Sequence, residues 1–85
     1  MPDVELRMPD LGLPAGAVRV SLWLVDVGAP VSTGDRVVEL VADGVTIDLS
    51  APVDGVLKKK LIGEDDPAET GRRLAVFAAE AEDLA

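Results

Sequence analysis

The chain has 85 residues, no cysteine, no histidine, and a net charge of −8 from 16 acidic and 8 basic side chains. That composition removes disulfides, thiolate metal sites, the commonest general base and the commonest metal ligand, and so acidic a balance argues against nucleic acid and anionic membranes as partners. The length sets one domain with a thin core, because a chain this short buries only about 60% of its unfolded surface.

The apolar pattern is mostly of period two, the signal of half-buried strands. Val4, Leu6 and Met8 alternate with Asp3, Glu5 and Arg7, and "DLGLPAG" at 10–16 then breaks the run. Val18, Val20, Leu22 and Leu24 share one parity, which predicts that all four face inward and leaves Trp23 on the opposite side. As one of only two aromatic residues, with Phe77, Trp23 is read as core or inter-sheet packing, the alternative being an outward contact anchor. Val37, Val38 and Leu40 follow Gly34 as a short strand, and Ile47 and Leu49 alternate with Thr46, Asp48 and Ser50. Leu57, Leu61 and Ile62 flank the run Lys58-Lys59-Lys60, and Leu74, Val76 and Phe77 mark a last strand. Glycine, proline and aspartate punctuate the intervals, so an all-β sandwich or barrel is expected. Only "AAEAEDLA" at the C-terminal end has helix-forming composition, and it is too short and acidic to form more than a frayed tail.

An internal repeat runs through this pattern. "PVSTGDRVVEL" at 30–40 aligns with "PAETGRRLAVF" at 67–77, at a constant offset of 37, and Leu24 and Val25 align with Leu61 and Ile62. Two copies are too few for a solenoid, so two similar sheets packed on each other are expected. Gly34 and Gly71 are expected at positive φ in the turns that open each copy's strand. The same alignment places Lys59 on Leu22, so Lys59 either snorkels from an inward position or marks a bulge.

Asp43-Gly44 lies between "VVELV" and "VTIDL". Asp-Gly between two strands signals a type I′ hairpin, which needs positive φ at both central residues. Elsewhere the chemistry is sparse. "GEDDP" at 63–67 clusters Glu64, Asp65 and Asp66, but three consecutive acids do not match the spaced ligands of a calcium loop and read as a solvated turn. Asp48 and Asp54 flank Pro52 with no companion base, and no nucleophile–base pair suited to catalysis is visible.

Four segments in order, "MPDLG" at 8–12, "VDVGAPVSTGDRVVEL" at 25–40, "TIDLSAPVDGVL" at 46–57 and "GEDDPAETGRRLAVF" at 63–77, resemble the biotinyl/lipoyl carrier domains, most closely the lipoyl type of 2-oxo acid dehydrogenase complexes. The resemblance spans about Val4 to Phe77 and implies a flattened barrel-sandwich of two antiparallel sheets with quasi-twofold symmetry. It also implies that the hairpin after Leu40 is the modification hairpin, which in the family reads Asp-Lys-Ala with the lysine in amide linkage to lipoyl. Counted back from Pro52, the family's aspartate falls on Asp43 and its lysine on Gly44, and Val41-Ala42 stand where Glu-Thr is usual. Glycine has no amine to acylate. The only lysines, Lys58, Lys59 and Lys60, sit in strand pattern away from a tight turn and read as a solubilising strand face.

The sequence therefore leads us to expect a lipoyl-like domain over 1–79 and a short acidic tail over 80–85. No catalytic residue, metal or covalent cofactor is expected. The expected role is a non-catalytic interaction or assembly module, with a protein partner in a 2-oxo acid dehydrogenase-type assembly or in self-association. The alternative is a lipoyl carrier modified at Lys58, Lys59 or Lys60. No apolar run approaches the roughly 18 residues of a membrane span, the first ten residues do not form a signal peptide, and a cytoplasmic setting is the default.

Overall fold

The computed structural model describes residues 2–14 and 16–80. Its strands are β1 (Asp3–Arg7), β2 (Arg19–Trp23), β3 (Pro30–Val31), β4 (Arg36–Ala42), β5 (Val45–Ser50), β6 (Gly55–Lys60) and β7 (Arg73–Ala79). They form two antiparallel sheets, one in the order β1-β7-β6-β3 and the other in the order β2-β4-β5. No helix occurs among the described residues. The all-β sandwich expected from the sequence is thus observed, with β3 as an addition too short for periodicity to reveal.

The 37-residue repeat is written into the backbone hydrogen bonds. The Gly28 N–H donates to the Leu57 carbonyl and the Leu57 N–H to Ala29; 37 residues on, the Asp65 N–H donates to Val20 and the Val20 N–H to Asp66. Leu24 donates to Val37 as Leu61 donates to Leu74. The pairing of Pro30 with Val56 recurs as the bridge between Arg19 and Pro67. Strand β1 is the counterpart of β5 at an offset of 43, since Val4 pairs with Phe77 as Ile47 pairs with Leu40. Each half therefore contributes a loop edge to the other half's sheet, which locks the two into one unit.

The core follows the same symmetry. Leu40 and Phe77 are repeat mates, as are Val20 and Leu57, and all four are essentially inaccessible. Burying one such side chain stabilises the fold by about 1.5–3 kcal/mol. Both repeat turns carry glycine at positive φ, Gly34 at 93° and Gly71 at 84°, where a Cβ would be strained. Gly55 is constrained differently. A Cβ there would run into the Ala78 carbonyl on β7, so the close approach of two strand backbones requires glycine.

Bulges correct the simple alternation read from the sequence. The pairing of β2 with β4 slips between Val20 and Leu22, and that of β6 with β7 slips between Leu57 and Lys59, at matching repeat positions. An extra residue in one strand reverses the facing of everything after it. Leu22 and Leu24, expected inward, are therefore 46% and 42% exposed. Trp23 instead packs against the core, and its indole N–H donates to the Ile62 carbonyl at 3.1 Å. Lys59 faces solvent for the same reason, so the bulge and not snorkelling explains its alignment with Leu22. A second pair of slips, in the pairings of β4 with β5 and β1 with β7, lets the consecutive residues Val37-Val38 and Leu74-Ala75 all be buried. Ala78 and Ala79, grouped by composition with the tail, complete β7 because Ala79 pairs with Gly55 and donates its N–H to Pro2. Of the tail expected over 80–85, Glu80 donates its N–H to the Asp54 carbonyl, and 81–85 lie outside the described residues.

Candidate functional site

The β4–β5 connection is the tight turn that its Asp-Gly pair demands. Ala42 pairs with Val45, and the two residues between have φ of 49° at Asp43 and 77° at Gly44, the positive pair of a type I′ turn. Nothing lies within 4 Å of where a Gly44 Cβ would stand, so the turn protrudes into solvent and would hold a larger side chain without collision. Beside it, Leu11, Leu13, Ala42, Val45 and Ile47 border an open apolar hollow of about 410 Å³. Val45 is 61% exposed there. The hollow involves the loop after β1 as well as the hairpin, a juxtaposition that no local sequence pattern announces.

The three lysines occupy the second half of β6, each in a different setting. Lys58 Nζ lies 3.0 Å from an Asp3 carboxylate oxygen. Lys59 is exposed and has no ion pair among the described residues. Lys60 Nζ sits 5.2 Å from the centre of the Trp23 ring, within range of a cation–π contact. Lys60 and Trp23 are repeat mates, so the quasi-twofold axis passes between them; the repeat alignment held this contact, but only the bulges bring the two side chains together.

Several acidic side chains hold the backbone in place. Asp66 accepts from the Gly63 N–H at 2.9 Å, Glu64 accepts from the Trp23 N–H at 3.1 Å, and the Asp65 carbonyl accepts from Arg19. Asp65 is itself at a φ of 72°, at the repeat position of Gly28. Asp48 binds Arg36 at 3.2 Å on the sheet surface. The Thr33 N–H donates to Asp54 at 2.7 Å, and this bond, helped by the Thr33 hydroxyl, holds the Asp54 carboxyl below its ordinary range. Asp48 and Asp54 thus serve separate contacts and do not converge. Among the described residues, no three histidine, cysteine or carboxylate side chains are grouped to hold a metal ion.

A family model described as biotin-requiring enzyme, that of the biotin/lipoyl domains, matches residues 4–77. The chain belongs to the biotinyl/lipoyl domain family. This biotinyl/lipoyl domain is 33% identical over 72 residues to the dihydrolipoyllysine-residue succinyltransferase component of the 2-oxoglutarate dehydrogenase complex of Staphylococcus saprophyticus, covering 85% of this chain and 17% of that protein. It is 34% identical over 71 residues to the dihydrolipoyllysine-residue acetyltransferase component of the acetoin cleaving system of Pseudomonas putida, covering 84% of this chain and 19% of that protein. The domain thus spans under a fifth of the length of these two relatives. Its fold matches the solution structure of the lipoyl domain of the 2-oxoglutarate dehydrogenase complex from Azotobacter vinelandii with a TM-score of 0.74 at 20% identity, over 92% of this chain and 99% of that one. It also matches part of a single-chain, multi-domain long-chain acyl-CoA carboxylase with a TM-score of 0.70 at 24% identity, over 99% of this chain and 8% of that one. Lipoyl and biotinyl domains are carriers within enzyme complexes; they bear lipoate or biotin covalently where the hairpin lysine is present and do not themselves catalyse.

Proposed function

We propose that this biotinyl/lipoyl domain works without a covalent cofactor, as a non-catalytic interaction or assembly module. The observation that carries the reading is the β4–β5 turn, whose two central residues are Asp43 and Gly44. In the family the prosthetic group hangs from a lysine amine at such a turn. Glycine cannot form that amide, so the tip does not fit the group. The lysines that remain lie on β6, where a strand backbone paired on β7 presents them from a sheet face and not from a protruding bend. The relatives named as components of 2-oxo acid dehydrogenase and acetoin cleaving systems support an assembly of that kind as the setting, with self-association as the other form of the same role.

Intact mass after co-expression with a lipoyl or biotinyl ligase tests the reading. The expected result is an unchanged mass for the wild-type chain and an added lipoyl group, mapped to residue 44, in Gly44→Lys. The positive φ of Gly44 makes this substitution cost about 1 kcal/mol of stability, and the space around the tip adds no clash. A lipoyl group found on the wild-type chain at Lys58, Lys59 or Lys60 would replace this proposal with the second reading, a carrier with a relocated arm. The exposure of Lys59 makes it the position where that reading would begin.

A further inference from the structure

The quasi-twofold gives every surface position on one sheet a counterpart on the other, which serves as an internal control. Where the two faces agree, the fold accounts for the residue; where they differ, the fold does not require it. Arg73 reaches Glu5 at 3.1 Å as Arg36 reaches Asp48 at 3.2 Å, at matching positions, so this Arg–carboxylate pair belongs to the architecture. Around it the faces diverge. Ser50, Ser21 and Leu22 of the three-stranded sheet become Arg7, Lys58 and Lys59 on the four-stranded sheet.

Among the described residues, the outer face of β1, β7 and β6 thus carries four cations, Arg7, Arg73, Lys58 and Lys59, against two carboxylates, Asp3 and Glu5. The rest of the chain has 4 basic residues against 14 acidic ones. Two positive charges on this face are in surplus. Arg7 and Arg73 share the single carboxylate of Glu5, at 2.8 and 3.1 Å, and Lys59 has no ion pair among the described residues. These groups border an open trough of about 630 Å³. Lys59, Val76 and Glu5 lie in register across three strands, which sets Lys59 about 10 Å from the arginine–glutamate cluster. Two or three residues of extended peptide span that distance.

We infer that this face docks an acidic, extended segment of a partner protein, with carboxylates on the partner meeting Lys59 and the Arg7–Arg73 pair. Such a surface, on a chain otherwise strongly negative, orients the partner by attracting it to one side and repelling it from the rest. The inference rests on the proposed role of the domain as a module that acts through its surface.

The test is fluorescence anisotropy of a labelled peptide of alternating glutamate and serine, titrated with the full chain, with the glutamine–serine peptide as control. Intact mass is recorded on the same preparation, so that modification of a lysine and failure of docking register separately. The glutamate peptide is expected to bind, more weakly as salt rises, and the glutamine peptide is expected not to. Lys59→Gln and Arg7→Gln are each expected to weaken binding about fivefold. Arg19→Gln, which removes the same charge on the other sheet, is expected to change it less than about twofold. Lys59 has no ion pair to lose among the described residues, and a thermal melt of each variant checks that it is folded. Equal weakening by Arg19→Gln and Lys59→Gln would overturn the inference, as would a glutamate peptide that binds no better than its control. Binding to phosphatidylserine vesicles that the glutamate peptide does not compete away would also overturn it, in favour of a membrane surface.

Discussion

At the bulge of β2, the outward side chains are Leu22 and Leu24, with Trp23 turned into the sandwich. At the matching bulge of β6, the outward residue is Lys59, and Lys60 lies over that same tryptophan. The backbone slip is identical in the two places and the side chains are not. The comparison separates what the fold demands from what it tolerates: the extra residue is needed to turn the strand, while its exposed neighbour is apolar in one half and charged in the other. Gly55 and its repeat mate Val18 differ in the opposite sense. Val18 fills core, whereas Gly55 leaves room for the Ala78 carbonyl.

The sharpest way to break the comparison is to give Gly55 the Cβ that its counterpart Val18 has and it lacks. Gly55→Ala is expected to destabilise by about 2–3 kcal/mol and to lower the melting temperature by about 10–20 °C. A melt within a few degrees of wild type would mean that the β6–β7 backbones can part without loss. Next in size is Trp23→Phe, which keeps an aromatic ring but shrinks it and removes the donor to Ile62; chemical denaturation should show a loss of at least about 1 kcal/mol.

Acidification should act more weakly. Glu5 is held below the ordinary carboxylate range chiefly by its hydrogen bond from Arg73, and Asp54 chiefly by the Thr33 N–H. Both groups therefore contribute stability at neutral pH that is lost as pH falls below about 4. Asp54→Asn should flatten the decline of melting temperature between about pH 5 and pH 2. The smallest effect is expected of Leu22→Lys, which copies Lys59 onto the other half and should move stability by no more than about 0.5 kcal/mol. A larger loss would show that the two bulges are not equivalent after all.

Much of this was legible in the residues. The 37-residue repeat announced two like halves, and Asp43-Gly44 announced its own turn, because both signals are local or depend only on alignment. What escaped was long-range. Alternation cannot register an extra residue in one strand, so Leu22 and Leu24 read as inward, whereas the reading of Trp23 as core packing rested on its aromatic character and held. A carboxylate's partner in another loop is equally hidden, so Glu64 and Asp66 read as solvated when they cap the N–H groups of Trp23 and Gly63. The tip's residues were plain in the sequence, while the apolar hollow beside it needed the loop after β1 to be brought alongside.

The reciprocal ladder, in which Val20 bonds to 65–66 and Leu57 to 28–29, has a kinetic corollary. The three-stranded sheet lies within residues 19–50, but its β2 edge is bonded by 65–67 and the four-stranded sheet takes β3 from the first repeat and β1 from the N-terminal end, so the finished sandwich needs distant segments brought together. Such topologies fold slowly for their size, and the cross-half bonds lead us to expect that neither half folds alone. Proteolytic nicking between the repeats should therefore release no folded fragment: the molecule persists as a whole or comes apart as a whole.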